Sequence, residues 1–513
     1  MSDKGRLDQC STTDGINCTD LGGATTDRLY SRVTIGTLPD NILLETFELY
    51  LGKDVFDYIP TCGHNYDGWQ TLVHVCRRWR CVVFASPRRL DLKLFCTRQR
   101  SVNSRTLDIW PPMPIVIYAR NIQSKEDATN IIAALRNHDR VCKIRYHNNQ
   151  FQDSWLKEIA AIDGPFLALR SLELFSSFQN VPVLPDSFLG GSAPRLRSLY
   201  LEGIPYPSIG KLLSSTTYLV RLSLWSIPHS GYISPETIVR CLSTLSRLET
   251  LTLGFRHPRS HASRASRHPP PLTRKVLPHL TVLDFRGDIE YLEDVLSQIE
   301  TPVLDRGDFW FFNQLVFDAP LFGHFIRRTE IFMTAHTVHL GFFPRRVEVS
   351  FRGKERPGPN EETLQLAIIC ESLDWQLSAV VQVLNSFLSF LTPLESLTID
   401  CGDHYPQSEF EAIQWRELLR VFTSVKHMTL RSQDSVRLVA PALIAGERTT
   451  QVLPVLQNLF LWTLPSQQPL SGPVQEAIEQ FSATRQHLVT VHSVIPARAA
   501  ASETGTMSPY LNL

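Results

Sequence analysis

The sequence predicts an α/β chain in which a small helical module precedes a long solenoid, with parallel strands on the concave face and helices outside. Two observations carry this. Residues 38–90 hold two amphipathic helical stretches, and from residue 141 a Leu-x-x-Leu-x-Leu phrase, loosely read, returns at steps of 23 to 32 residues with helical periodicity between returns. The 513 residues are 43% hydrophobic and 20% charged, which suffices for a large core and argues against wholesale disorder.

In the first helical stretch Ile42, Leu43, Phe47 and Tyr50 recur at helical spacing, and Pro39 stands near the start, where a missing N–H costs little. In the second, Leu72, Val75, Cys76, Trp79, Val82 and Val83 fall on one stripe with Arg77, Arg78 and Arg80 turned away. So small a domain hides only about 60% of the surface its chain exposes, so part of the stripe needs a partner.

Leu-Pro-x-x-Ile-Leu-x-x-x-Phe from Leu38, then Leu-Val-x-Val-Cys-Arg-Arg-Trp-x-x-Val-Val from Leu72, followed by Ser86-Pro87-Arg88-Arg89-Leu90, resembles an F-box. The resemblance implies docking on a Skp-type adaptor and, through it, on the cullin of an SCF ubiquitin ligase. The departure is the insertion Gly52 to Gly68, longer than in compact F-boxes. Adaptor contacts are expected on Leu38, Pro39, Ile42, Leu43, Phe47, Leu72, Val75, Cys76, Trp79 and Val82. Some of these must instead hold the helices to each other, and periodicity does not divide them.

The repeating phrase begins at Val141 (Ile144, Tyr146), Leu169 (Leu172, Leu174), Leu196 (Leu199, Leu201), Leu219 (Leu222, Leu224), Leu248 (Leu251, Leu253) and Leu280 (Leu283, Phe285). It returns at Leu394 (Leu397, Ile399), Val425 (Met428, Leu430) and Leu456 (Leu459, Leu461). Between 280 and 394 the candidates are weaker: Phe312-Leu315-Phe317, Ala335-Val338-Leu340 and Leu364-Leu366-Ile368. Helical spacing separates the strands, as in Ile238, Val239, Leu242 and Leu245 after Ser234-Pro235-Glu236, an N-cap with proline at the first helical position. Val380, Val381, Leu384, Phe387, Leu388 and Leu391 repeat the pattern, as do Ile413, Leu418, Leu419 and Phe422. This is the signature of leucine-rich repeats. F-box followed by degenerate repeats resembles the large F-box families of mushroom-forming fungi.

The expected organisation is a disordered leader over 1–34, the F-box over 35–95, a linker and solenoid entry over 96–135, the leucine-rich-repeat-like solenoid over 136–495 and a flexible tail over 496–513. Trp110-Pro111-Pro112-Met113-Pro114 suits a stiff junction within the linker. The segment 254–275 is an inserted basic loop; a nuclear-import or phosphate-binding patch, or a phosphorylation site at Ser260, Ser263 or Ser266, stays open beside a solvated loop.

Lys plus Arg and Asp plus Glu both number 51, so no global basic field points to nucleic acid. The ten cysteines form no Cys-x-x-Cys pair and read as reduced thiols. Residues 1–35 lack the apolar core of a secretory signal and no run of about 18 apolar residues occurs, which implies a cytoplasmic or nuclear protein without a membrane segment. Phosphate loops, nucleophile elbows, zinc motifs and calcium loops are absent. His74 and Cys76 would face different sides of one helix, Cys76 packing as a small apolar residue, and Glu361-Glu362 follow a turn. An adaptor subunit without catalytic site, cofactor or metal is therefore expected, with a ligase-independent F-box on a repeat scaffold as the alternative.

In Leu-x-x-Leu-x-Leu the leucines point inward, so the residue between the final pair and the one after it face the exposed concave sheet. Those positions include Glu173, Phe175, Tyr200, Glu202, Ser223, Trp225, Thr252, Asp284 and Arg286. Aromatics flanked by charge suit target binding, with Phe175, Tyr200, Glu202, Trp225, Asp284 and Arg286 as the candidate contacts. The other reading of Phe175 and Trp225 is that they fold over the array and cover core.

Overall fold

A computed structural model describes residues 35–51, 68–96, 110–120, 125–148, 161–162, 164–177, 181–258, 273–314, 317, 319–353, 362–370, 373–387, 394–402, 411–443, 452–462, 472–484 and 489–494. The leader, most of the Gly52–Gly68 insertion, residues 259–272 of the basic loop, Leu315, Glu361, Leu388, Leu391 and the tail lie outside them. The chain divides between Asp91 and Leu92 into two compact units.

The first unit holds helices Asp40–Leu51, Gly68–Val75 and Arg77–Ala85. The stripe expected to run through one helix is interrupted at Cys76, which is extended (φ −159°, ψ 169°). Two local contacts satisfy the orphaned groups of the break. Trp79 N–H donates to Cys76 Sγ at 3.5 Å, capping the third helix, and Arg80 Nε donates to Val73 O at 3.0 Å, closing the second. Cys76 is therefore an exposed cap and not a packed apolar residue. Leu43, Phe47, Trp69, Leu72, Val73, Val82 and Val83 form the buried core, with the Phe47 and Trp79 rings 4.8 Å apart. Arg78 ties the third helix to the start of the first through Asp40 Oδ1 at 2.6 Å and the Leu38 carbonyl.

The second unit is mixed α/β. Its main sheet has sixteen strands among the described residues. From one edge they run Leu94–Cys96, Ile115–Arg120, Val141–Asn148, Ser171–Ser176, Ser198–Glu202, Arg221–Ile227, Thr250–Phe255, Val282–Gly287 and Arg306–Phe312. Then come Leu364–Ile369, Arg346–Gly353 and Ala335–Phe343 in reverse chain order, and last Ser396–Cys401, His427–Leu430, Asn458–Trp462 and Thr490–Val494. Every pairing is parallel except those made by Arg346–Gly353, which is antiparallel to both neighbours. The sheet is therefore parallel with one antiparallel excursion, and not the uninterrupted parallel array the repeats predict. A two-residue connection, Pro344-Arg345, suffices for the hairpin, whereas a parallel return would need a crossover.

The sheet unit also begins earlier than expected. Leu94–Cys96, Ile115–Arg120 and the helix Lys125–Leu135 belong to it, the first strand lying within the span expected for the F-box and the other two elements within the stretch expected as linker and solenoid entry. Met113 is buried and Leu94 N–H donates to Pro114 O at 2.8 Å, which stitches the proline-rich stretch into the sheet. In the middle, Arg306–Phe312 ends where the phrase Phe312-Leu315-Phe317 was expected to start, with Phe309 and Phe311 as its buried pair.

The regular phrases fold as read. In each, the last two apolar residues alternate inward on a strand, and in all but the Val141 phrase, whose first residue opens the strand, the first packs just before it, as Leu169, Leu172 and Leu174 do. The inward side chains meet the helices that return between strands, with Phe309 against Phe322 (5.1 Å) and Phe342 against Trp415 (4.9 Å). Ser234 caps Pro235–Leu242 by accepting from Thr237 N–H, with proline at the start of the helix. One helix is capped from a distance. Ala319 precedes Pro320–Arg328 and has no side chain to offer, and buried Glu293 of the preceding helix accepts from Leu321 N–H (2.8 Å) and Phe322 N–H (3.2 Å).

Glu293→Ala strips that cap and is expected to lower stability by about 1–3 kcal/mol, with Glu293→Gln losing less because it keeps an acceptor. Urea denaturation of the three proteins measures it, and equal midpoints would count against the capping role. A chain ending at residue 393 loses the strand paired to Ala335–Phe343 and the helices beyond it. It should aggregate, since a terminal unit needs a cover. A monomeric truncation on gel filtration with an undiminished melting temperature would contradict one cooperative array.

Candidate functional site

The helical unit divides the ten residues expected to meet a partner. Leu43, Phe47, Leu72 and Val82 are at most 7% exposed and hold the helices together, so they do not form an outer contact. They sit where all three helices converge, which one helix's periodicity does not disclose. Ile42 (38%), Val75 (55%), Pro39 and Cys76 are exposed, and Leu38 and Trp79 are half-buried. Ile35 (55%), Leu49 (84%) and Tyr50 (51%) add apolar surface to the same unit. Tyr50 carries the stripe's period, while Leu49 lies one residue off it.

On the sheet unit, the outward residues form two rows in strict register. The first runs Tyr118, Arg145, Glu173, Tyr200, Ser223, Thr252, Asp284, Asp308, Gln365, Ser350, His339 and Thr398. The second holds His147, Phe175, Glu202 and Trp225, then Gly254, Arg286, Trp310, Ala367, Glu348 and Gly341. All six candidate target contacts thus lie on one face. They are half-buried and not freely exposed, because neighbouring strands stand only about 4.8 Å apart and their side chains cover one another.

The individual environments follow from that crowding. Phe175 stacks on His147 with centroids 4.1 Å apart. Trp225 lies across Gly254, where a Cβ would come within 2.6 Å of its ring, so glycine is what lets the indole lie flat. A bulge between Leu224 and Ile227, with Ser226 at φ +50°, interrupts the ladder beside it. Arg145 Nε meets Glu173 at 2.9 Å. Tyr200 O–H donates to Glu202, whose carboxyl is nonetheless pushed above the usual range by burial, with Arg256 and that hydrogen bond opposing. Desolvation lowers Arg286.

Asp284 and Asp308 are register partners on adjacent strands. Asp284 accepts from Thr252 O–H at 3.2 Å and Asp308 from Trp310 Nε1 at 2.8 Å. Burial first, and then the neighbouring carboxylate, push Asp308 up to about 7, and burial raises Asp284 as well. Asp308, Trp310, Glu348 and Ser350 lie on strands without a leucine phrase, where the alternation in Arg346–Gly353 was the available signal, whereas His339 and Gln365 lie inside the weaker phrases Ala335-Val338-Leu340 and Leu364-Leu366-Ile368, whose outward positions the sequence reading did not name.

No family model matches the chain, and no curated protein does either. Among the described residues no group of three or more His, Cys, Asp and Glu side chains could hold a metal ion, and no helix is long and apolar enough to cross a membrane.

Because the folded pKa of Asp308 lies above its unfolded value, the native state binds more protons between about pH 4 and pH 7. Stability from this group is therefore present at the acid end and lost as pH rises through the folded pKa. Relative to Asp308→Asn, the wild-type chain should lose up to about 1.4 kcal/mol per pH unit across that window. Urea titrations from pH 4.5 to 8 measure the difference, and parallel profiles would refute the buried-carboxyl assignment.

Proposed function

We propose that the chain is the substrate-recognition subunit of an SCF-type cullin-RING ubiquitin ligase, its N-terminal unit an F-box docked on a Skp-type adaptor and its strand–helix stack a leucine-rich-repeat solenoid. The observation that carries the reading is the apolar surface left uncovered on the helical unit: Ile42, Val75, Leu49 and Tyr50, beside Leu38, Pro39, Cys76 and Trp79, within the Leu-Pro and Cys-Arg-Arg-Trp motifs. A sheet covered by helices on its leucine side supports the second half of the reading, since it leaves a polar and aromatic face for a protein target. The subunit performs no bond chemistry. It raises the effective concentration of target lysines near a charged thioester, in the cytoplasm or nucleus.

Ile42→Asp with Val75→Asp tests the docking half, as both side chains are exposed and the three-helix core is left intact. The double variant is expected to lose adaptor pull-down, because charge facing an apolar contact is strongly unfavourable. Leu43→Asp would only unfold the unit. Undiminished capture by a variant with a wild-type melting curve rejects the F-box assignment, and recovery of the adaptor without a cullin rejects the ligase.

A further inference from the structure

In the middle of the outer face, among the described residues, a row of polar side chains begins and ends on buried atoms without hydrogen-bond partners. Asp284, Asp308, Gln365, Ser350 and His339 occupy one register row over five neighbouring strands, about 19 Å at the usual strand spacing. Ser350 is 6% exposed and projects to the outer face between Gln365 and His339. Asp284 Oδ1 and His339 Nε2, at the two ends of the row, are buried and have no hydrogen-bond partner among the described residues. Folded proteins leave few such groups, and each needs a reason.

A wall flanks this row. Arg346 lies over the rings of Trp310 (5.8 Å) and Phe343 (4.9 Å) and is paired with Glu348. Beneath the wall the second row is small, with Ala367 and Gly341. Phe343 rests on Gly341, where a Cβ would come within 2.8 Å of its ring. Charge is uneven along the strip. Glu348 has Arg346 and Glu173 has Arg145, whereas Asp284 and Asp308 have no salt-bridge partner among the described residues, Arg306 acting on them only at a distance. Among the described residues, the end of the row at Asp284 and Asp308 is thus short of a cation, and His339 at the other end is short of a hydrogen-bonding group.

We infer that this row receives an extended target segment of about six residues, with a lysine or arginine side chain seated at Asp284 and Asp308 and its polar backbone groups along Gln365, Ser350 and His339. The inference rests on the reading that the outer face binds a protein target, and it moves the contact from the strands around Tyr200 to those around the antiparallel excursion. Trp310 supplies an aromatic edge beside the cation.

The test uses the full chain and synthetic hexapeptide pools with Lys, Arg, Ala or Glu fixed at one position, read by fluorescence polarisation. Lys and Arg pools should bind about tenfold tighter than Ala or Glu pools, and the preference should vanish in Asp284→Asn/Asp308→Asn. Ser350→Tyr, which fills the row two strands from Asp308, should block all pools without touching the carboxyls. Equal binding of the four pools, or a preference that survives the double Asn variant, overturns the inference. So does a folded wild-type chain that binds no pool. Adaptor and cullin recovery is scored separately, so the ligase reading can fail while the strip holds, or hold while the strip fails.

Discussion

Everything in the sheet unit depends on the register between neighbouring strands. Because side chains alternate with a period of two, a slip of one residue would carry every inward leucine to the outer face. Leu172, Leu199, Leu222, Leu251 and Leu283 align across five strands, and each is at most 3% exposed. Burying a side chain of that size is worth about 1.5–3 kcal/mol, so a slipped strand would lose several such increments at once. The same alignment dictates the outer face. Glu173, Tyr200, Ser223, Thr252 and Asp284 are neighbours because the leucines one residue before them are neighbours.

Legibility in the sequence followed that constraint. Where a strand is parallel, helix-covered and leucine-rich, the phrase located it and assigned its faces, as at Leu196-Leu199-Leu201 and Leu456-Leu459-Leu461. The strand Arg346–Gly353 alternates just as cleanly, with Val347, Val349 and Phe351 inward, but it belongs to a hairpin and not to a repeat. A template built on one period passes over it. In the helical unit the spacing of Leu72, Val82 and Val83 continues through Cys76 as if the helix did, because the break depends on Arg80 and on a sulfur cap that periodicity does not encode. Which apolar residues are core and which are surface depended on how three helices converge, so the sequence could name the set and not its division.

Connections in the sheet unit are held by polar side chains from its helices. Gln376 donates to the carbonyls of Phe343 and Cys370 at 2.8 Å each. Gln382 accepts from Phe317 N–H, and Ser435 Oγ accepts from Cys401 N–H at 2.8 Å. A local cap answers its own helix, whereas the contacts to Phe343, Phe317 and Cys401 answer backbone more than 30 residues away, so they couple neighbouring strand–helix repeats of the sheet unit beyond their apolar packing. Removing one leaves a buried backbone group without a partner, which is more damaging than the loss of an average hydrogen bond.

The antiparallel excursion keeps the parity of the array while reversing its direction. Val349 faces Leu366 on one side and Leu340 on the other, so inward residues still meet inward residues and the leucine layer is unbroken. The outer row continues by the same necessity, Ser350 joining Gln365 to His339. What changes is the connection. A repeat must send its chain across the helical side before returning, but a hairpin returns at once, so Arg345 and Arg346 come back directly beside Phe343. That return sets the Arg346 guanidinium over Trp310 and Phe343 and raises a wall on a face that parallel repeats alone would leave open. The departure from the repeating pattern thus gives the outer face a bounded strip, with its unsatisfied groups inside the boundary.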